Sequence, residues 1–253
     1  MKAAACYTSA VLPVADPPKE GSERVLVRVQ AVSGLSFATF LALHLANSVA
    51  ASLGPESYDA LMARLRGYYQ TPLVEILAVG ASGAVHVACG LARLRNRRRR
   101  AREQRRAGRA PVRAPLWLRV HRLSGYFLLL VIVGHVLATR GPGLFLDQPA
   151  DFSYLTFSLT TWPAAFFPYY FLLFSSGTYH LMYGAGQALR VFGLRPNLAP
   201  HSSRLAAALF GVALLGGVAG ILAMGGILAE PDTSRFGEFR ALYERYAPFM
   251  VTW

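Results

Sequence analysis

Long apolar runs separated by short polar stretches set the plan of this chain. A helix needs about 20 residues to cross about 30 Å of hydrocarbon at roughly 1.5 Å per residue. Five runs reach that length, spanning 31–52, 72–92, 116–139, 163–189 and 204–229. The third becomes continuously apolar only from Leu123. The pattern predicts an all-α fold, an integral membrane bundle of five transmembrane helices within residues 31–229. Residues 1–30 lack the apolar core of a secretory signal, and Asp16, Glu20 and Glu23 disfavour a cleaved transit peptide, so they read as a flexible N-terminal tail. Beyond the last span, Phe236, Phe239, Tyr243 and Tyr246 recur at helical spacing with charges between them. Residues 230–253 are therefore expected to carry a short tail helix, lying in the membrane interface or packed on the bundle.

Composition sharpens this plan. Of 253 residues, 54% are hydrophobic and 15% charged, against about 25% charged in an ordinary soluble domain. The net charge is nevertheless +13. That much apolar surface excludes disorder, and two cysteines, Cys6 and Cys89, exclude a disulfide scaffold. Residues 93–122 hold thirteen arginines, with Glu103 the one acid among them. With five spans, the N-terminal tail, this Arg-rich loop and the connection after the fourth span share one side. That side carries 20 of the 26 basic residues; Arg64, Arg66, Arg140, Arg235, Arg240 and Arg245 lie on the other. Such asymmetry orients a membrane protein with its basic side facing the cytosol. The loop reads as a topology determinant, or as a patch for anionic lipid or an acidic partner. No aromatic is interleaved with the arginines from Arg93 to Arg113, so nucleic acid is not an expected partner.

The candidate chemistry lies in the membrane. One histidine falls within each of the first four spans: His44, His86, His135 and His180. Ionisable residues at that depth are costly and usually have a partner or a task. Helices one and three run the same way and carry His44 and His135 past their midpoints. Helices two and four return, which places His86 with His180 nearer the basic side. The two levels differ by roughly 10–15 Å. Two facing imidazoles at each of two depths are what two bis-histidine haems require; interhelical hydrogen bonds between the rings are the alternative. Zinc is disfavoured, because no Cys, Asp or Glu joins the histidines at their depth.

An internal repeat supports the pairing. Ser33-Gly34 precedes His44, and Ser124-Gly125 precedes His135, with nine residues between Gly and His each time. Gly83-x-x-His86-x-x-x-Gly90 matches Gly177-x-x-His180-x-x-x-Gly184. The first two helices thus resemble the next two as a parallel repeat. The flanking glycines would let a flat macrocycle approach the backbone, or let helices pack closely. His121 and His201 lie at helix ends near arginines and read as solvated or interfacial. Glu75 reads as an interfacial carboxylate, with a proton or quinone role as the alternative. No P-loop, G-x-S-x-G or HExxH is present, and the chain is not expected to be an enzyme.

The histidine layout resembles the five-helix dihaem cytochrome b membrane subunits of succinate dehydrogenase and fumarate reductase. In those, helices one and three share one haem, and helices two and four the other. A closer resemblance is to the mitochondrial adaptor (MCP-type) transmembrane-domain family, best known from fungi. It rests on FLALHLANS, YYQTPLVEILAV, HVACGLARLR, LSGYFLLLVIVGHV, GTYHLMYGAGQALRVFGL and the tail ALYERYAPF. These segments extend over most of the chain. The resemblance implies a multi-pass protein of the mitochondrial outer membrane acting in lipid homeostasis, with the N-terminus and Arg-rich loop cytosolic. It also implies membrane lipid as a partner. A lipid-transfer protein would be recruited through the N-terminal tail or the Arg-rich loop. Family members recruit theirs through a P-x-P segment; here the tail reads VLPVADPPKEG, without a strict P-x-P. The four matched histidines imply heme b, two per chain, with heme iron held by His44 and His135, and by His86 and His180. The alternative is the dihaem cytochrome b anchor of a succinate:quinone oxidoreductase-like complex.

Overall fold

A computed structural model describes residues 21–110 and 113–248. Helix α1 (Gly21–Ala50) ends in a single 3-10 turn, Ala51–Leu53, and is followed by α2 (Pro55–Tyr69). A π-helical stretch, Val74–Ala81, runs directly into α3 (Ser82–Arg106). Then come α4 (Leu116–Phe145), α5 (Phe152–Thr161), α6 (Pro163–Val191), α7 (Arg204–Met224) and α8 (Phe236–Tyr246). Among the described residues there is no strand.

Four helical segments are long and apolar enough to cross a membrane: Gly21–Leu53, Val74–Arg106, Leu116–Phe145 and Arg204–Met224. Helix α6 covers the expected fourth span and, at 29 residues, has the length. Two prolines, Ser175, Ser176, Thr178, Gln187 and four tyrosines dilute its apolarity. The surface is that of a membrane protein. Leu130 is 80% exposed, and Val133, Leu137, Val212 and Leu215 also face outward, while Asn47, Thr156, Ser158 and Thr178 are buried. A water-soluble domain distributes these residue types the other way.

Several boundaries differ from the sequence expectation. Helix α1 begins at Gly21, inside the stretch expected to be a tail. Its Glu23 is buried and accepts a hydrogen bond from Asn96 Nδ2 at 3.0 Å, with Arg100 at 3.4 Å and Arg93 at 3.7 Å. The partners sit on α3, because that helix continues through Arg106 instead of stopping at the membrane surface. Most of the Arg-rich segment is therefore helix, supported by the Arg99–Glu103 pair one turn apart at 3.5 Å. Long arginine stems allow this, since they cover apolar surface while their heads reach water. At the other end, α7 stops at Met224, where Gly225 and Gly226 (φ +75°) close it.

Helix α1 packs along α3 and α6, α4 packs along α6, and α7 lies against both α1 and α6. The α1–α4 and α3–α6 pairs are thus the diagonals of a four-helix core. The α7 contact depends on small residues: a Cβ on Gly216 would fall 2.7 Å from Val49, one on Gly217 would strike Phe174, and one on Gly220 the carbonyl of Ser48. Helices α2, α5 and α8 gather where α1 ends and α6 begins. There Phe152 and Leu159 pack with Ala51, Tyr58, Met62, Ile221 and Met224. The side chain of Asp151 caps α5, accepting from Tyr154 N at 2.9 Å. Helix α8 packs on the protein: its Phe239 is 1% exposed, against Tyr154 and Phe157.

Candidate functional site

The four membrane histidines meet as two pairs across the two diagonals of the core. His44 of α1 and His135 of α4 have ring centroids 5.9 Å apart, with planes at 69°. His86 of α3 and His180 of α6 are 6.2 Å apart at 86°. All four are half-buried. Gly34 lies against His86, and Gly125 against His180. Each of these glycines lies ten positions before the histidine of the other level on its own helix. At roughly 1.5 Å per residue the two pairs are about 15 Å apart along the bundle.

At the His86–His180 level the hydrogen bonds are alike on the two sides. His86 Nδ1–H donates to the carbonyl of Gln30 at 3.2 Å. His180 Nδ1–H donates to the carbonyl of His121 at 3.3 Å, with Ser124 Oγ at 3.2 Å. Gln30 lies four residues before Gly34, and His121 four before Gly125, so the acceptors occupy equivalent places in α1 and α4. A carbonyl can only accept, so the proton sits on Nδ1 and Nε2 keeps its lone pair. That is the tautomer a metal-ligating imidazole needs, held by an outer partner. The glycines are what admit the rings. A Cβ on Gly34 would lie 2.7 Å from His86 Nδ1, and one on Gly125 2.9 Å from His180 Cε1.

At the other level His135 Nδ1 is 3.2 Å from the Tyr169 hydroxyl, and Phe40 stacks on His44 at 5.7 Å. Asn47, one turn beyond His44, is 1% exposed, and neither of its side-chain polar atoms has a hydrogen-bond partner among the described residues.

The spacing fits one metal ion between the rings of each pair. Two imidazoles bound on opposite sides at about 2.0–2.1 Å per bond place their centroids roughly 6 Å apart. Two imidazoles per level are the number that could serve as axial ligands of a haem iron, and are too few donors for a protein-only zinc site. Among the described residues no three His, Cys, Asp or Glu side chains converge on one point.

Three features escape the sequence pattern. His121 is not a solvated terminal residue: it is half-buried and stacks on His180 at 4.2 Å and on Tyr183 at 4.8 Å. Its position matches Gln30 of the first repeat, a correspondence the Ser-Gly alignment already contains. Tyr169 and the Gln30 carbonyl have no sequence signature of their own. Glu75 accepts two hydrogen bonds from Arg140, from Nε at 2.6 Å and Nη2 at 3.0 Å, which ties the start of the α3 segment to the end of α4. His201 is exposed and stacks on Trp117 at 4.7 Å.

No protein-family model, no curated protein and no solved structure matches the chain.

Proposed function

We propose that the chain is a five-span haem-binding membrane protein that holds two b-type haems between its repeated helix pairs. The reading rests on one observation, the two facing histidine pairs at 5.9 and 6.2 Å. Each helix pair would give one imidazole to each haem, His44 and His86 from the first pair and His135 and His180 from the second. Gln30 and His121 hold the Nδ1 protons of His86 and His180 through their backbone carbonyls, and Gly34 and Gly125 leave room for those rings. A haem held by two histidines would supply one-electron transfer, a structural role or sensing rather than oxygen activation.

The physiological role we infer from the family resemblance is that of an adaptor in the mitochondrial outer membrane, acting in lipid homeostasis. The basic helical extension of α3 and the N-terminal tail would face the cytosol and meet a lipid-transfer partner. The charge asymmetry supports that orientation. An epitope-tagged copy is expected to co-fractionate with outer-membrane markers; recovery with inner-membrane or plasma-membrane markers would overturn the role. The second reading is an electron-carrying anchor of a succinate:quinone oxidoreductase-like complex, favoured by the same two-level haem geometry. It predicts co-purification with a flavoprotein, and unchanged succinate oxidation in a deletion strain would remove it.

A further inference from the structure

A cavity of about 440 Å³ opens at the start of α4, lined by Arg113, Ala114, Arg119 and Arg122. Three guanidinium groups around one cavity repel one another unless an anion joins them. The charged groups that bear on Arg122 from the facing helix, Arg97 and Arg93 of α3, have the same sign. Glu23 is taken up by Asn96, Arg93 and Arg100, and Glu103 by Arg99. The guanidinium forks of Arg113 and Arg119 are exposed at this opening, and such a fork matches phosphate and carboxylate oxygens in both charge and geometry.

The level of the cavity identifies the source of the phosphate. Trp117, between Arg113 and Arg119 in the chain, is 40% exposed with one face stacked on His201; Leu116 next to it and Leu123 further along α4 are 59% and 67% exposed. A part-exposed Trp flanked by outward leucines marks the headgroup level of a bilayer, where lipid phosphates lie.

We propose that this cavity binds the phosphate and headgroup of an anionic phospholipid. The assignment does not depend on haem. Native mass spectrometry of the full-length protein in non-ionic detergent tests it, with phosphatidylglycerol, phosphatidylcholine and inorganic phosphate as probes. Phosphatidylglycerol should be retained about tenfold more strongly than phosphatidylcholine. The Arg113→Gln/Arg119→Gln double variant should remove about a tenfold preference, whereas Arg119→Lys should keep part of it and Arg240→Gln on α8 all of it. Arg113 and Arg119 are exposed, so the variants should retain the helical circular dichroism of the parent. Equal retention of both lipids, or a preference unchanged in the double variant, would overturn the proposal. So would displacement of phosphatidylglycerol by equimolar inorganic phosphate. Loss of haem from the double variant with lipid retention intact would assign these arginines to haem carboxylates instead.

Discussion

At the scale of single residues, the most informative positions are two glycines that carry no chemistry. Gly34 and Gly125 sit where a side chain would collide with the imidazoles of His86 and His180. Both bear on the same pair, so either Gly34→Ala or Gly125→Ala should displace one ring and empty one level. Haem content, measured as the pyridine haemochrome per chain, should fall from two to about one. Gly134→Ala is the control, because a Cβ there meets nothing within 4 Å, and its haem content should stay at two. The four histidines themselves are legible in the sequence, since an ionisable residue in an apolar run stands out against its neighbours. Their outer partners are not. Gln30 contributes a backbone carbonyl, which every residue has, and Tyr169 is one of several aromatics in its run. His121 was obscured by its neighbours Arg119 and Arg122, which make it read as a solvated helix end; only the packing of α4 on α6 brings its ring over His180.

At the scale of elements, hydrophobic runs predict the long helices well and their ends poorly. A run marks where a helix is apolar, and helices α1 and α3 continue beyond that point because Glu23 meets Asn96, Arg93 and Arg100 across them. The short helices α2 and α5 escaped because neither has the length of a span, and their burial is tertiary: α5 is covered on most sides by α2, α6, α7 and α8. Helix α8 was legible as a helix from its aromatic spacing, but not as one packed on α5. The attachment of α7 makes a prediction at this scale. A methyl on Gly220 would strike the backbone carbonyl of Ser48, which cannot swing aside as a side chain would. Gly220→Ala should therefore lower stability by about 1–3 kcal/mol, seen as a lower thermal midpoint in detergent. Gly211→Ala, where a Cβ meets nothing within 4 Å, should leave that midpoint unchanged or raise it slightly.

At the scale of the whole molecule, the net charge of +13 is unevenly distributed along the bundle. The basic residues concentrate on the helical extension of α3 and on the start of α4, at the end of the bundle remote from α2, α5 and α8. If the proposed outer-membrane location and orientation hold, a cysteine placed at Gln104, in a variant lacking Cys6 and Cys89, should react with a membrane-impermeant maleimide in intact mitochondria. One placed at Glu244 on α8 should react only after the outer membrane is opened. The reverse pattern would invert the orientation. The same view unites the two candidate chemistries, because the His86–His180 pair lies at the end that carries the arginines, whereas the His44–His135 pair lies toward the capped end, near the Glu75–Arg140 pair.

The central claim is that two histidine pairs, at two levels, each hold one haem. It is tested most directly by the reduced-minus-oxidised absorption spectrum of the purified protein beside His86→Ala, His135→Ala and the double variant. The account predicts a bis-histidine b-type spectrum, roughly halved by either single substitution and abolished in the double variant while the helical circular dichroism persists. A colourless, stably folded wild-type protein, or a spectrum that neither substitution diminishes, would contradict it.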